Sequence, residues 1–418
     1  MVSDSNLVKP LAGVRVIDAS LLGPGALSAL LADLGADVLK VESPSGDYVR
    51  QMSWPIIDGV SLLHWKCNRG KRGVALDLRQ PEGVDIFLDL VRESDAVVVA
   101  MRPGALERRG IGFDKMLEIN PRIVLCNISG YGATGPYRDM ASHGIAYDTW
   151  AGVVAPVYDE QGRPYLSDHT SIGIHAGPLF GALAVVSGIL SARETGTGMQ
   201  FEIAQSDAAA SFDWVRSEGF KAHEQPEDRV TGNKADNYKR RPPGMGGMKE
   251  AVRYQMYESA DGHVLFMASE QEFWKNFCAG IDRMDLFEAN PGSTYADHAI
   301  GNDELRATLA EIFKTRTSAE WIEFGQKAGT AIAPVNSPRT LPDDPQFQDR
   351  LGWLPREEHG TELLPSPIKV VGGELAPPRK APVLDEHTDE VLSEILGLDP
   401  DRLAQLRADG VIGPKQDV

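Results

Sequence analysis

The chain has 418 residues, enough for two or three domains, and a formal net charge of −18. That acidic balance argues against nucleic acid or an anionic membrane as the main partner, although one local basic groove could still bind a phosphorylated ligand. Its apolar stretches are strand-length and interrupted by Gly, Asp or Glu, so the sequence predicts no membrane-spanning helix.

The first 130 residues alternate between strand and helix patterns. Short β-rich runs are followed by helical segments, with Gly or Pro near the transitions. The predicted strands are 14–18, 38–42, 74–78, 96–100 and 123–127, and the predicted helices are 26–34, 81–92 and 103–109. Because strands that alternate with helices form parallel sheets, this region predicts a doubly wound α/β domain.

Downstream of residue 130 the sequence divides into a long helix, a middle unit and a helical tail. Two segments with the composition of linkers bound the middle unit, the first rich in charged residues, Pro and Gly, the second rich in Pro and Asp. In order, we predict a helix over 176–193, a linker over 218–250, strands and helices over 254–327, a second linker over 334–346 and two helices over 386–411.

The first strand-to-helix turn raises the question of a dinucleotide site. Gly23-Pro24-Gly25 follows a strand and opens a helix, and Glu42 ends the next strand, where an acid that binds ribose would lie. The third glycine of that motif is missing, because Ser28 occupies its place. The turn therefore favours a helix N-terminus that binds another phosphate or a carbonyl oxygen over a nicotinamide site.

The sequence does not indicate a metal site or a disulfide framework. Cys67, Cys126 and Cys278 are isolated, and the nine histidines are scattered, which predicts no metal and a reducing compartment. The first six residues lack the basic and apolar regions of a signal peptide. A cytoplasmic location is the resulting expectation.

Seven segments, in order along the chain, resemble those of the family III CoA-transferases, a superfamily with formyl-CoA transferases, carnitine CoA-transferases and 2-methylacyl-CoA racemases. They include a segment of the form N-x-x-K-x-x-x-x-L-D-L, a helix start x-P-G-x-L-x-R and two glycine-rich hallmarks. The matching segments are Leu11–Asp18, Leu34–Glu42, Asn68–Leu78, Arg102–Arg108, Ser129–Pro136, Arg193–Gln200 and Glu386–Leu392. Together they span nearly the whole chain, which is identified on this basis as a member of the superfamily.

The resemblance implies an architecture that composition alone does not give. It implies a Rossmann-like large α/β domain whose doubly wound parallel sheet is formed by both chain ends, a smaller α+β middle domain, and a homodimer of interlocked subunits. The implied division is 1–217 for the N-terminal part of the large domain, 218–253 for a linker, 254–330 for the small domain, 331–350 for a second linker and 351–418 for the C-terminal part.

The resemblance also implies that CoA lies against the turns after the early strands. Guanidinium groups suit its phosphate oxygens because their planar forks donate two hydrogen bonds at once. The predicted CoA ligands are Asn68, Arg69, Lys71, Arg72 and Arg108. Two positions depart from the family pattern: Ser43-Pro44 lacks an arginine that often follows the strand-ending acid, and Ala100-Met101 replaces a common Asn-Phe.

Family transferases use an Asp just before the long helix. Its carboxylate attacks the thioester to form an acyl anhydride, and CoA thiolate then gives an enzyme-bound thioester. Counting back from Arg193 places His175 where that Asp is expected, and the nearest acid is Asp168, seven residues upstream. A bulge could bring Asp168 into the site, whereas an extended chain would leave it far off.

A second reading comes from the segment Ser142–Tyr147, which resembles the G-H-D-x-N-Y of the superfamily's racemases. His143 is kept, and Gly144 replaces the following Asp. Because imidazoles titrate near neutrality, His143 and His175, or His143 and Asp168, could move the α-proton of an acyl-CoA. Either histidine could equally be a hydrogen-bonded structural residue.

The sequence thus predicts a CoA-transferase that moves CoA from an acyl-CoA thioester to a carboxylic acid through an aspartyl intermediate. An acyl-CoA racemase or isomerase is the alternative, and a non-catalytic protein that binds CoA thioesters is a second one. The expected partners are acyl-CoA, a carboxylic acid and a second copy of the chain, with no metal, nucleic acid or membrane.

Overall fold

The computed structural model describes residues 6–52, 54–232, 234, 237–240, 248–293 and 297–414. The chain divides into two compact units, one formed by 1–213 with 351–418 and the other by 214–350. The strands are β1 (Leu7–Val8), β2 (Arg15–Ala19), β3 (Asp37–Glu42), β4 (Ile56–Ile57), β5 (Val60–Ser61), β6 (Lys71–Ala75), β7 (Ala96–Val99), β8 (Val124–Ser129), β9 (Val157–Tyr158), β10 (Pro164–Tyr165), β11 (Gln200–Ala204), β12 (Tyr254–Glu258), β13 (His263–Met267), β14 (Ile332–Pro334) and β15 (Glu374–Leu375). The helices are α1 (Ala26–Asp33), α2 (Leu62–Asn68), α3 (Pro81–Arg92), α4 (Phe113–Ile119), α5 (Gly144–Trp150), α6 (Gly173–Thr195), α7 (Gln205–Phe212), α8 (Trp214–His223), α9 (Gln271–Gly280), α10 (Met284–Ala289), α11 (Asp303–Phe313), α12 (Ser318–Ala328), α13 (Pro345–Arg350), α14 (Arg356–His359), α15 (Thr388–Leu396) and α16 (Pro400–Ala408).

The larger unit is built on a sheet of six parallel strands in the order β11-β8-β7-β2-β3-β6. From β2 the chain moves outward through β3 to β6, then returns to β7 and moves the other way through β8 to β11. All four residues of β7 are buried, as expected for a strand covered on both faces. The structure confirms a mixed α/β fold with a large parallel sheet.

Apolar cores cover both faces of this sheet. On one face, β-strand residues pack with α3, α4, α15 and α16, and the buried side chains include Phe87, Met116, Leu392 and Leu406. On the other face, α1 and α6 supply buried residues such as Leu31 and Val185. The two predicted C-terminal helices are therefore present, and their apolar residues complete a core that begins with the N-terminal strands.

Helix α6 is long and apolar enough to cross a bilayer by length and composition. It is an exception to the expected strand-length apolar stretches. Its glycines allow close packing: a Cβ at Gly181 would overlap Leu27 of α1, and one at Gly188 would lie 2.7 Å from the Phe201 ring. Such contacts with α1 and the sheet are typical of a core helix.

The smaller unit contains an antiparallel sheet of β12, β13 and β14. Its core is aromatic, with Phe277 stacked near Trp274, Phe313 and Trp321. A turn over 259–262 joins β12 to β13, and the Ser259 amide donates to the Gly262 carbonyl across it. The predicted first linker begins inside α8, and its residues 233, 235–236 and 241–247 lie outside the described residues.

Two predicted elements of the larger unit are wrong in detail. Residues 103–109 do not form an α-helix; they turn and end in a single 3₁₀ turn over Glu107–Arg109, closed by Gly110 in the left-handed region. The predicted strand 74–78 lies earlier, as β6, because Leu76 leaves the parallel ladder and pairs with Ile412 from the chain end.

A buried imidazole ties the C-terminal segment to α2. His64 is 1% exposed; its Nδ1 lies 3.0 Å from the Asn68 amide nitrogen, and its Nε2 lies 3.1 Å from the Pro382 carbonyl oxygen. Because the Asn68 oxygen accepts from Lys71, the Asn68 nitrogen donates to Nδ1, and the His64 proton is assigned to Nε2. Burial and the nearby Arg50 guanidinium lower the pKa of His64 to about 4.

We expect this histidine to make the fold less stable as the pH falls from about 6.5 to about 4. As the pH falls, the unfolded chain binds a proton at His64 before the folded chain does. The stabilising contribution of the neutral imidazole is therefore complete above the pKa of the unfolded chain and lost at the pKa of the folded chain. A pKa lowered from 6.5 to about 4 corresponds to about 3 kcal/mol. Urea unfolding as a function of pH should show this loss in the wild type and in a His263→Gln control, but not in His64→Gln. Parallel pH curves for the wild type and His64→Gln would contradict the assignment.

Candidate functional site

A crevice of about 540 Å³ opens at the carboxyl ends of the parallel strands, around the neighbouring strands β2 and β7. From β2 the chain continues to β3 on one side of this pair, and from β7 it continues to β8 on the other side. Four strands end at this crevice. Ala19 and Glu42 are the last residues of β2 and β3, and Leu76 and Ala100 directly follow β6 and β7. Ligands of open α/β sheets bind at this reversal of strand order, because the loops there diverge and leave a cleft. The crevice is therefore the first candidate binding site.

A basic cavity of about 620 Å³ adjoins the crevice and shares Arg79 and Arg109 with it. Arg108 also lines this cavity, and the side chain of Arg79 is 76% exposed although it pairs with Asp77 at 2.7 Å. Sequence reasoning missed Arg79. Its place directly after the L-D-L segment, at the end of an early strand, was the signal that could have found it.

Beneath the crevice, Asp18 and Lys71 form an ion pair that is fully excluded from solvent, with 2.6 Å between Oδ2 and Nζ. The Ser28 hydroxyl donates to the same carboxylate at 2.6 Å. Lys71 also donates to the Gly25 carbonyl at 2.8 Å and to the Asn68 side-chain oxygen at 2.9 Å. The pair therefore connects β2, the turn before α1, the end of α2 and β6.

Burial alone would raise the pKa of Asp18, but the ammonium groups of Lys71 and Lys40 outweigh it and hold that pKa well below its usual range. Lys40 is also buried and donates to the Ser20 carbonyl. Burial would lower the pKa of Lys40, whereas the carboxylates of Asp18 and Asp47 raise it. The opposite charges thus favour the ionised forms of Asp18 and Lys40, whereas burial lowers the pKa of Lys71 in spite of the Asp18 carboxylate.

A second candidate region lies where α5 and α6 begin. A Cβ at Gly144, the first residue of α5, would lie 2.7 Å from the Ile174 side chain in the first turn of α6. The contact is made by the residues next to two histidines, since His143 precedes Gly144 and His175 follows Ile174. Both imidazoles are exposed, and among the described residues neither ring has a hydrogen-bond partner.

Asp148 is fully buried and caps α6 from its place in α5. Its carboxylate accepts from the backbone nitrogens of Gly173 at 2.8 Å and Ile172 at 3.1 Å, and His169 Nε2 lies 3.3 Å away. A carboxylate suits this position because the first amides of a helix lack partners and carry a positive dipole. The chain thus folds back around the Asp148 carboxylate. As a result Asp168, the residue before His169, stays near the start of α6, and its side chain is exposed.

Sequence reasoning missed both Asp148 and His169. The available signal was an acid within an otherwise uncharged helix, which is costly to bury unless it is hydrogen-bonded.

The two glycine-rich hallmarks have structural roles at opposite ends of the paired strands β8 and β11. Gly130 follows the carboxyl end of β8, and Gly198 precedes the amino end of β11. A Cβ at Gly130 would lie 2.8 Å from the Tyr147 ring, and the backbone of the same loop donates to the Glu202 carboxylate. At the other end, a Cβ at Gly198 would overlap the Ile123 carbonyl. Only glycine fits such close approaches.

The chain matches the model of CoA-transferase family III over residues 11–388. It belongs to that family. Human succinyl-CoA:glutarate CoA-transferase is 27% identical, with 98% of this chain and 91% of that protein covered. Succinyl-CoA:mesaconate CoA-transferase of Haloarcula marismortui is 31% identical over 91% of this chain and 95% of that protein.

Human alpha-methylacyl-CoA racemase is also similar, at 26% identity over 96% of this chain and 97% of that protein. Among solved structures, a CAIB/BAIF family protein from Brucella suis matches with a TM-score of 0.73 and 25% identity, over 93% of this chain and all of that chain. These findings confirm the predicted superfamily, and with it an enzyme of the CoA-transferase class.

The structure distributes the five predicted CoA ligands unequally. Arg108 is exposed and lines the basic cavity, whereas the other four are buried and paired within the protein. The pairs are Lys71 with Asp18 and Asn68, Arg69 with Asp33, and Arg72 with Asp37, Glu390 and Glu394. None of the four lines the crevice or the cavity, so a direct contact with CoA would require each to leave its present partner.

We expect Lys71→Ala to destabilise the larger unit by about 3–5 kcal/mol, because the buried Asp18 carboxylate loses the ammonium group with which it forms its ion pair. Lys115→Ala removes a cation that is 49% exposed and should change stability by no more than about 0.5 kcal/mol. Urea unfolding measures both variants. An unchanged stability of Lys71→Ala, with a loss of CoA affinity instead, would assign Lys71 to the ligand.

Proposed function

We propose that the protein transfers CoA from an acyl-CoA thioester to a carboxylic acid. The observation that carries the proposal is the crevice with its basic cavity, at the carboxyl edge of the sheet in a member of CoA-transferase family III. Open α/β sheets bind nucleotides at this position, and exposed guanidinium groups suit phosphate oxygens.

In this proposal Arg108, Arg79 and Arg109 hold the phosphates of CoA. The three guanidinium groups surround one cavity, and Arg109 is positioned by a 3.0 Å bond to the Ala105 carbonyl. Gly104, with a positive φ of 75°, turns the chain so that Arg108 folds back over it. For Asn68, Arg69, Lys71 and Arg72, direct binding of CoA stays a prediction; their contacts support an indirect role, in shaping the turns beneath the ligand.

Asp168 supplies the nucleophile. Its carboxylate attacks the thioester carbonyl, the C–S bond breaks, and CoA leaves as thiolate while an acyl anhydride forms. The thiolate then attacks the aspartyl carbonyl, which releases the donor acid and gives an enzyme-bound thioester; the acceptor acid reverses these two steps. Support comes from the Asp148 carboxylate, whose contacts with His169, Ile172 and Gly173 hold the segment after Asp168 against the start of α6.

A second candidate is α-proton transfer by His143 and His175. It is favoured by one observation: two exposed imidazoles at adjoining helix starts, without hydrogen-bond partners among the described residues. One neutral imidazole would take the proton from the α-carbon, and the other, protonated, would return it to the opposite face. This reaction would form no covalent intermediate.

Self-association as an interlocked homodimer is part of the proposal. Support comes from the apolar side chains that α6 leaves exposed, with Leu179 at 51%, Leu183 at 63% and Leu190 at 64%. Apolar patches of this kind are typical of interaction surfaces. The smaller middle domain with the predicted boundaries and the cytoplasmic location stay predictions.

We expect Arg108→Ala, Arg109→Ala and Arg79→Ala each to weaken CoA binding by about 1–3 kcal/mol, the scale of a hydrogen bond to a charged group. Arg92→Ala is a matched control, since Arg92 is 54% exposed and pairs with Asp89 away from the cavity. Titration calorimetry with CoA measures all four. Unchanged affinity in the three cavity variants would remove CoA's phosphates from this cavity.

Asp168→Asn should abolish transfer while leaving CoA affinity intact, because the amide is nearly isosteric but a poor nucleophile. Acyl-CoA with hydroxylamine should inactivate the wild type and mark one carboxylate, found by peptide mass analysis. The control is Asp139→Asn, because Asp139 is an acid whose side chain is 81% exposed. In this variant acyl-CoA and hydroxylamine should mark the same carboxylate as in the wild type. Two results together would favour proton transfer instead. Asp168→Asn would stay active and exchange the substrate's α-hydrogen with deuterated solvent, and His143→Ala would abolish that exchange.

A further inference from the structure

An aromatic cluster lies beside the starts of α5 and α6. The Tyr131 ring meets Tyr137, Tyr147 and Trp150 edge to face, at centroid distances of 5.7, 5.9 and 6.5 Å. Tyr147 is buried at the base, whereas Tyr137 is 43% and Trp150 is 48% exposed. The cluster therefore has a fixed base and an open outer side on which another ring could pack.

The cluster is in contact with the start of α6. A Cβ at Gly173, the first residue of α6, would lie 2.9 Å from the Tyr147 side chain. Tyr48 lines the crevice, and its side chain is 56% exposed. In the proposed function the acyl group of a thioester bound in the crevice reaches Asp168 at the start of α6, and the cluster lies beside that helix start.

Apart from the histidines His143, His169 and His175, the elements around the cluster provide almost no cation for an anionic acyl group. Helix α5 contains no Lys or Arg, and the first three turns of α6 carry only His175. Residues 130–141 contribute one guanidinium, Arg138, which lies 3.6 Å from the Asp139 carboxylate. The nearby acids Asp148 and Asp168 would repel a second carboxylate, and burying a charge without a partner is costly.

We propose that the acyl group handled at this site is flat and apolar, an aryl or arylalkyl carboxylic acid, rather than a dicarboxylic acid. Trp150 and Tyr137 provide the walls, and Tyr131 holds both in place. The inference rests on the proposed CoA-transferase function and adds the substrate class to it. It also separates this chain from the relatives whose names specify succinyl-CoA.

Equilibrium binding tests the inference without turnover. Calorimetry should show that benzoyl-CoA binds about tenfold more tightly than free CoA, the gain expected from stacking on an aromatic wall, while succinyl-CoA binds no more tightly than CoA. Trp150→Ala should remove the benzoyl advantage and leave the affinity for free CoA unchanged, and Trp150→Phe should keep part of it. Trp214→Ala removes a tryptophan of similar exposure, 55%, and should behave as the wild type.

The outcomes separate this inference from the function beneath it. Tight CoA binding with equal or stronger binding of succinyl-CoA would overturn the acyl class alone. No binding of free CoA would overturn the proposed function and the inference with it. A Trp150→Ala variant that keeps the benzoyl preference but changes its sedimentation coefficient would make the cluster a subunit contact and overturn its role as an acyl wall.

Discussion

The buried pair of Asp18 and Lys71 determines the shape of the sheet edge on which the rest of the larger unit depends. A charge without a partner would be very unfavourable there, so β2 and β6, separated by β3, must stay in register for the two groups to meet. The remaining hydrogen-bonding capacity of the pair is used by the turn before α1 and by the end of α2. One ion pair therefore joins β2, β6, the turn before α1 and the end of α2.

The sequence predicts the elements whose pattern is strong and local. Helix α3 matches its predicted bounds, because Pro81 begins it and an apolar stripe continues to Arg92. The segment 103–109 carries a similar pattern, but Gly104 takes a positive φ and breaks it. Leu76 reads as strand, yet its partner is Ile412, more than three hundred residues away, which no local pattern reveals.

The site was harder to predict than the fold, for a physical reason. A motif shows which residue types recur but not whether a cation faces a ligand or a buried carboxylate, so Arg69 and Arg72 read as phosphate ligands although each meets acids of this chain. In the same way Asp148 carries no motif, and its importance follows only from where α5 packs on α6. Arg108 lies on an exposed turn and lines the basic cavity, and its role as a CoA ligand stays a prediction.

The C-terminal helices complete the core on one face of the sheet, which has a consequence for biosynthesis. The amide of Asp77 donates to the Val411 carbonyl, and α15 and α16 cover strands made long before them. Between residues 213 and 412 about 200 residues must be synthesised, which takes about 10–40 s at 5–20 residues/s. During that interval the nascent sheet has one apolar face without its cover, so a ribosome-bound chain is the form in which this protein most needs a chaperone.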